Sequence, residues 1–139
     1  MKKIINVIWV LLILGAVLDG TQMRVKAGNL VYGDYEYSQN PSDKTISIIK
    51  YNGKDSEVEI PQKINGMNVV SISEEAFQFN DTIVDVVIPE GVTGIGSSAF
   101  SCCSNLKQVS FPDSLEKIGF TAFYNCESLE NIYIPENVN

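Results

Sequence analysis

Hydrophobic positions recur through the second half of the chain with a fixed 23-residue period. One copy of the pattern spans Ile83–Cys103 and reads I-x-x-V-x-I-P-x-x-V-x-x-I-G-x-x-A-F-x-x-C. A second copy spans Leu106–Cys126, a third begins at Leu129, and a degenerate copy begins at Val58. A fixed period of about 20–50 residues is typical of a solenoid, in which each repeat stacks on the next.

The start of each copy alternates apolar and polar residues, which predicts a β-strand. In Leu106–Phe111, the side chains of Val109 and Phe111 point to one side of the strand, and those of Gln108 and Ser110 point to the other. The apolar set must face the interior, so the polar set lies on an exposed sheet face. The proline that follows has no N–H to donate, and it ends the ladder there.

Two further positions of the repeat predict a column of stacked rings and a turn of the backbone. Phe77, Phe100 and Phe123 are each one full period apart, so stacked copies would place their rings in one column. Gly96 and Gly119 follow an isoleucine where the chain turns. We expect these glycines to adopt backbone angles that are closed to other residues.

The first repeat is longer than those that follow it, because the interval from Pro61 to Pro89 exceeds that from Pro89 to Pro112 by five positions. The additional residues surround Asn65-Gly66, which lies between the apolar residues Ile64 and Met67. Asn-Gly between apolar residues predicts a tight hairpin turn.

Residues 28–57 precede the repeats and have a different pattern. Two strands are predicted, one at Tyr35–Tyr37 and one over Thr45–Tyr51, where Ile46 and Ile48 would face inward. Residues 28–33 are expected to be a flexible terminus, and the turn between the strands falls at residues 40–43. We interpret residues 28–57 as an N-terminal β cap that covers the apolar end of the array. The alternative is a ligand-binding domain.

The repeated phrase resembles the BspA-type leucine-rich repeat, which occurs in many secreted and surface-exposed bacterial and protist proteins. The resemblance covers residues 58–138. It implies a leucine-rich repeat solenoid, mainly β with short turns and 3-10 segments. Residues 58–139 would form the array, with a degenerate first repeat, two full repeats and a truncated last repeat.

Residues 1–27 have the features of a secretory signal peptide. Lys2 and Lys3 precede an apolar run at residues 4–18, and the small residue Ala27 marks the expected cleavage site. The run is shorter than the ~20 residues of a membrane span. We therefore expect a secreted or cell-surface protein without membrane insertion after cleavage; the alternative is an uncleaved N-terminal anchor.

The charge of the chain argues against two kinds of partner. The chain has 10 basic and 17 acidic residues, for a net charge of −7. Cleavage after residue 27 would remove four basic residues and one acidic residue, which leaves a net charge of −10. This charge opposes binding to nucleic acid, which requires clustered Lys and Arg, and to anionic lipid.

The residue types present favour no enzyme, metal or cofactor. The chain has no histidine, which is the commonest general base and the usual partner of a nucleophilic Ser or Cys. It also has no C-x-x-C pair for zinc. The adjacent acids Glu74 and Glu75 are interpreted as a solvated surface. We therefore predict no catalytic residues, no metal site and no cofactor.

Three cysteines leave two interpretations open. Cys103 and Cys126 occupy the same repeat position, where Asn80 stands one copy earlier. They are either buried reduced thiols or a Cys103–Cys126 disulfide, since neighbouring rungs lie within the Cα range of a disulfide and secretion permits one. The parallel direction of the two side chains does not suit the bond's dihedral angle. Cys102 is predicted to be an exposed free thiol.

A solenoid of this kind offers one continuous sheet face for protein recognition. The resemblance implies an adhesin-like, protein-binding role with a protein ligand. The predicted binding residues form two columns on that face, and the alternative is an ordinary solvated face. The first column contains Glu57, Asp85, Gln108 and Asn131, and the second contains Glu59, Val87, Ser110 and Tyr133.

The second functional interpretation is structural. The chain would then be a non-binding spacer or a truncated fragment of a longer repeat protein, because the sequence stops inside a repeat. Leu129, Ile132 and Ile134 would form an uncapped apolar edge, through which the chain could associate with itself.

Overall fold

The computed structural model of the protein describes residues 29–139, and the predicted signal peptide at residues 1–27 lies outside them. Ten short β-strands and connecting turns make up this part of the chain, which contains no helix. The strands are β1 (Leu30–Tyr32), β2 (Tyr35–Asn40), β3 (Thr45–Tyr51), β4 (Glu57–Glu59), β5 (Lys63–Ile64), β6 (Met67–Ile72), β7 (Asp85–Val87), β8 (Gly94–Ile95), β9 (Gln108–Ser110) and β10 (Lys117–Ile118).

The repeats coil into a β-solenoid of about three turns, as the 23-residue period predicts. Strands from successive turns pair in parallel, with β4, β7 and β9 in one sheet and β6, β8 and β10 in the other. The register places Val58, Val86 and Val109 side by side in the first sheet. All three valines are buried, so each turn covers the apolar row of its neighbour. Burial of this kind stabilises by about 1.5–3 kcal/mol for each fully buried side chain.

The N-terminal segment joins the second sheet. Strands β1, β2 and β3 are antiparallel, and β3 then pairs in parallel with β6 of the first repeat. Ile46 and Ile48 are fully buried, as the alternation predicts. The expectation of a flexible terminus at residues 28–33 is wrong for Leu30–Tyr32, because these residues form β1 against β2.

The connecting segments are hydrogen-bonded turns, as the resemblance implies, and residues 29–139 contain no 3-10 helix. The alanine of each repeat donates its N–H to the carbonyl three residues earlier, as Ala99 does to Gly96 at 3.3 Å. The next residue bonds to the following turn instead. Phe77 N–H donates to Ala99 O at 2.7 Å and Phe100 N–H to Ala122 O at 2.8 Å. Successive coils of the solenoid are therefore joined by backbone hydrogen bonds in the connecting segments as well as in the strands.

Gly96 and Gly119 are required for a different reason from the one predicted. Neither adopts a positive φ. A Cβ at Gly96 would overlap the backbone of Glu74, and a Cβ at Gly119 would overlap that of Ser97. The glycines therefore allow consecutive turns to approach closely. The left-handed conformation falls on non-glycine residues of the same turns, which are Glu75, Phe79, Ser98, Cys102, Thr121 and Asn125.

The predicted phenylalanine column is present and is longer than the sequence indicated. Ring centroids are 4.7 Å apart for Phe77 and Phe100, and 5.3 Å apart for Phe100 and Phe123. Tyr51 of β3 continues the column at 5.2 Å from Phe77, and Tyr35 of β2 follows at 5.1 Å from Tyr51. The column thus links the N-terminal strands to the repeats.

The additional residues of the first repeat form the predicted hairpin. Strands β5 and β6 are antiparallel, and Asn65 and Gly66 have φ angles of 51° and 81°. Two consecutive positive φ angles are typical of the type I′ turn that Asn-Gly favours. Ile64 is fully buried beside this turn, which anchors the hairpin to the core.

Candidate functional site

Six of the eight predicted binding residues lie in two registered columns on one surface, here called the outer face. It is the solvent side of the sheet of β4, β7 and β9. Pairing aligns Glu57 with Asp85 and Gln108, and it aligns Glu59 with Val87 and Ser110. The predicted columns are therefore correct over these three strands. All six side chains are exposed except Asp85, which is half-buried.

The chemistry of the outer face changes along the solenoid axis. Three carboxylates, those of Glu57, Glu59 and Asp85, lie on the first two strands, whereas β9 carries the neutral side chains of Gln108 and Ser110. Neighbouring strands are ~4.8 Å apart, so the carboxylates reinforce one another's negative potential. Val87 is 43% exposed in the middle of this polar surface and offers it an apolar contact.

Asn131 and Tyr133 do not extend the two columns as a fourth strand. Both residues are exposed, with Tyr133 at 89%, and their segment forms no strand. An opening of about 800 Å³ separates the segment Ser128–Tyr133 from Lys107–Phe111. The sequence did not indicate this opening, because residues 129–135 match the strand pattern of the earlier repeats.

Beside the opening, the last turn lacks backbone hydrogen bonds that the earlier turns make to their neighbours. Ser56 O accepts the N–H groups of Val84 and Asp85, and Val84 O accepts those of Lys107 and Gln108. The equivalent acceptor on the next turn is Lys107 O. It has no backbone donor within residues 29–139.

The same difference is found at the other end of the strand. Ile60 N–H donates to Val87 O, and Ile88 N–H donates to Ser110 O, each at 3.0 Å. The equivalent donor of β9 is the N–H of Phe111. No carbonyl of the described chain accepts it. Strand β9 therefore presents a free acceptor and a free donor to the opening.

The last turn is nevertheless held to the array further along the chain. Thr93 N–H donates to Val70 O at 2.9 Å, Glu116 N–H donates to Thr93 O at 2.9 Å, and Asn139 N–H donates to Glu116 O at 3.0 Å. This ladder continues without a break into the last turn. Within residues 29–139, the segment beside β9 lacks the backbone bonds that the corresponding segments of earlier turns make to their neighbours.

The two aligned cysteines act as hydrogen-bond donors between turns. Cys103 Sγ donates to Phe77 O and Cys126 Sγ donates to Phe100 O, each at 3.1 Å. Asn80 uses its side-chain amide in the same way one turn earlier. All three cysteines are free thiols in the structure. A donor that reaches the preceding turn is thus the shared role of this repeat position.

Burial controls the chemistry of these thiols. It raises the pKa of Cys103 to about 12, and it also raises the pKa of Cys126. Both side chains are therefore protonated donors at neutral pH. Cys102 is half-buried, with Asn125 Nδ2 4.0 Å from its sulfur.

Residues with the chemistry of a metal site are not brought together in the described part of the chain. Glu74 and Glu75 are exposed at the edge of a turn. Between residues 29 and 139, no group of three or more His, Cys, Asp or Glu side chains could hold a metal ion. The same residues contain no helix that could cross a membrane.

Stacked 23-residue turns with a buried aliphatic row and a phenylalanine column define a leucine-rich repeat protein. The chain belongs to the BspA-type leucine-rich repeat family. The family model described as BspA type Leucine rich repeat region (6 copies) matches residues 49–139. A search of curated proteins found no match.

Several solved structures are similar to this chain. The T. pallidum leucine-rich repeat protein TpLRR is 33% identical, with a TM-score of 0.74, over 78% of this chain and 50% of its own. A leucine-rich cell surface protein from Faecalibacterium prausnitzii is 32% identical, with a TM-score of 0.68, over 75% of this chain and 30% of its own. The pneumococcal vaccine antigen PcpA is 26% identical, with a TM-score of 0.69, over 83% of this chain and 27% of its own. This chain thus spans half or less of the length of these three proteins.

Proposed function

We propose that this chain is a secreted or cell-surface, adhesin-like module that binds a protein through its outer face. The observation that carries the proposal is the alignment of six side chains, five exposed and one half-buried, from three parallel strands in two columns. A surface built on paired strands is rigid before binding, and rigidity reduces the entropy lost when a partner docks. Asn131 and Tyr133 lie next to this surface and belong to the proposed site.

The outer face suits a partner with a basic patch. The carboxylates of Glu57, Glu59 and Asp85 would attract Lys and Arg side chains, which speeds association and selects among partners. Val87 and Tyr133 would provide the apolar and aromatic contacts that commonly contribute most of the binding energy at interfaces. The negative charge of the chain also argues against nucleic acid and anionic lipid as alternatives.

The similar structures support a location outside the cytoplasm. One is a cell surface protein of Faecalibacterium prausnitzii, and another is a pneumococcal vaccine antigen. A chain exported by a signal peptide at residues 1–27 would meet its partner in the same kind of environment. This similarity is the basis for the proposed localisation.

A double variant tests the outer face. The full chain is screened against purified extracellular proteins, and Val87→Lys with Tyr133→Ala is then compared with the wild type for each protein bound. We expect binding to weaken about 30-fold, because loss of one aromatic hot-spot residue costs ~2 kcal/mol.

A matched variant controls for the type of substitution. Val31→Lys with Tyr124→Ala makes the same two changes at residues that are 44% and 65% exposed and lie away from the outer face. It is expected to bind like the wild type. Unchanged binding of the Val87 and Tyr133 variant to every partner would show that another surface is used. A chain that binds nothing in the screen would instead fit a structural spacer.

A further inference from the structure

The opening beside β9, bounded by Lys107–Phe111 and Ser128–Tyr133, is here called the edge slot. Its volume is about 800 Å³. One residue of a strand within a sheet occupies about 160 Å³, from a rise of ~3.3 Å, a strand spacing of ~4.8 Å and a thickness of ~10 Å. The edge slot therefore has room for about five residues of one extended strand.

The backbone of β9 faces the edge slot with its hydrogen-bonding groups available. Lys107 O and the N–H of Phe111 occupy the positions that bond to the next turn in the two preceding repeats. Strand β9 is also the last strand of its sheet within the described chain. An edge with a free donor and a free acceptor is the feature that strand addition requires.

We propose that the edge slot binds an extended peptide segment of a partner protein, which pairs with β9 as a parallel fourth strand. The inference deepens the proposed function and rests on it in one respect, namely that the ligand is a protein. The two sites differ in what they recognise. The outer face contacts side chains of the partner, whereas the edge slot bonds to the partner's backbone.

The side chains around the edge slot define the sequence pattern of the peptide. Val109 is only 7% exposed and Phe111 is half-buried, so the peptide residue next to Val109 must be apolar and face the core. Gln108 and Ser110 face solvent, so the residues that flank the apolar one are polar. The preferred ligand is an extended segment with a polar-apolar-polar centre.

The chain itself contains a segment with this pattern. A synthetic copy of the segment can serve as a probe of the edge slot, and the segment in the chain can compete with that probe. Residues 129–135 read LENIYIP, with Ile132 between Asn131 and Tyr133, which both carry a polar group. In the register of the earlier turns, Asn131 N–H would donate to Lys107 O and Tyr133 O would accept the N–H of Phe111. In the structure the segment stands outside that position, and the edge slot is accessible to a second strand of the same sequence.

A peptide titration tests the proposal. A fluorescein-labelled synthetic peptide LENIYIP is titrated with the full chain, and binding is followed by fluorescence anisotropy. The control peptide has the same sequence but carries an N-methyl group on its Asn amide, which removes the N–H that would donate to Lys107 O. We expect the labelled peptide to bind and the methylated peptide to bind about fivefold more weakly, because one backbone hydrogen bond is lost.

A pair of variants tests the donor on β9. Phe111→Pro and Phe111→Ala both remove the ring, but only proline also removes the N–H. The proline variant is expected to bind the peptide about fivefold more weakly than the alanine variant. Far-UV circular dichroism verifies the fold of both, and the methylated peptide keeps the test decisive if the proline variant does not fold.

Three outcomes would overturn the proposal. They are equal binding of the two peptides, absence of binding because the chain's own segment occupies the edge slot, and a dimer in sedimentation that excludes the peptide. Val87→Lys separates this test from that of the outer face, because Val87 is on β7 and does not line the edge slot. This variant is expected to bind the peptide like the wild type, whichever result the outer face gives.

Discussion

At the scale of single residues, the close approach of successive turns decides which side chains the repeat accepts. Gly96 and Gly119 lie where the backbone of the preceding turn occupies the place of a Cβ. Cys103 and Cys126 lie where a short side-chain donor reaches a carbonyl of the preceding turn. The structure thus explains two positions of the repeat by contacts between turns and not by local conformation.

Because successive turns approach closely, adding a single methyl group at Gly96 is predicted to lower the stability of the protein. Gly96→Ala is expected to lower the free energy of unfolding by about 1–3 kcal/mol, because the added methyl group forces two backbones apart. Gly94→Ala is the matched control, two residues away, where a Cβ would meet nothing within 4 Å. The control is expected to raise stability by about 0.5 kcal/mol by restricting the unfolded chain. Urea unfolding measures both, and equal effects would contradict the steric explanation.

The cysteines are predicted to differ in reactivity. In the folded protein at pH 8 we expect a thiol reagent to modify Cys102 rapidly and Cys103 slowly, because burial keeps Cys103 protonated up to a pKa of about 12. Cys103 should become more reactive as the pH rises towards that value. Cys102→Ser is the control, and it should remove the rapid phase.

The same reagent also decides between the two interpretations of the aligned cysteines. After denaturation without a reductant, the structure leads us to expect three reactive thiols, as three free cysteines require. A single reactive thiol would instead show that Cys103 and Cys126 form a disulfide.

At the scale of elements, the aromatic column is a contact that joins the N-terminal strands to three successive turns. Phe100 is fully buried between Phe77 and Phe123, whereas Phe123 is only half-buried at the end of the column. The column also reaches Tyr51 and Tyr35 of the N-terminal strands. It therefore joins elements that belong to different parts of the sequence.

Removal of the central ring is predicted to be costly. Phe100→Ala should lower the free energy of unfolding by about 3–5 kcal/mol, since it leaves a cavity between two stacked rings. Phe120→Ala is the control, because its ring is 84% exposed and its loss should change stability by less than about 0.5 kcal/mol. Thermal unfolding of the two variants compares them. Similar melting temperatures would contradict the role assigned to the column.

The sequence predicted the elements that recur with the 23-residue period and the hairpin that has its own turn signal. The strands at β7 and β9, the phenylalanine column and the Asn65-Gly66 hairpin follow from spacing or turn chemistry. It did not predict β1, because three residues carry too short a pattern and the strand depends on pairing with β2. It indicated the wrong reason for Gly96, because the approach of Glu74 is a contact between distant residues.

The candidate site was predictable in part for the same reason. The two columns on the outer face follow from the constant period of the repeats and from the alternation of side chains along a strand. The edge slot was not predictable. Residues 129–135 carry the strand pattern in full, and their separation from β9 depends on how the last turn is held in three dimensions.

At the scale of the whole molecule, the N-terminal strands and the repeats share one core. Strand β3 pairs with β6, and Tyr51 lies in the aromatic column beside Phe77. We propose that residues 28–57 act as the cap of the array, since a solenoid's terminal unit must cover an apolar row. A cap of this kind makes the stability of each turn depend on the strands before it.

A variant in β3 is therefore predicted to weaken distant turns. Ile48→Ala should lower the global free energy of unfolding by about 2–5 kcal/mol, because Ile48 is fully buried. Hydrogen exchange should show the same loss of protection in β8, which does not pair with β3. Val31→Ala, at a 44% exposed position of β1, is the control. Unchanged protection in β8 would show that the N-terminal strands fold separately from the array.

The hairpin of β5 and β6 has a consequence for how the chain folds. Turns that share one sequence pattern can pair out of order, with one turn skipped and nearly the same contacts made, and such states delay folding. The five additional residues around Asn65-Gly66 occur once in the chain, and the fully buried side chain of Ile64 anchors them at one place in the core. If a turn were skipped next to β6, the position that Ile64 fills in the core would be left empty. The hairpin thus distinguishes the first repeat from the later ones, and it favours folding pathways in which the turns pair in their sequence order.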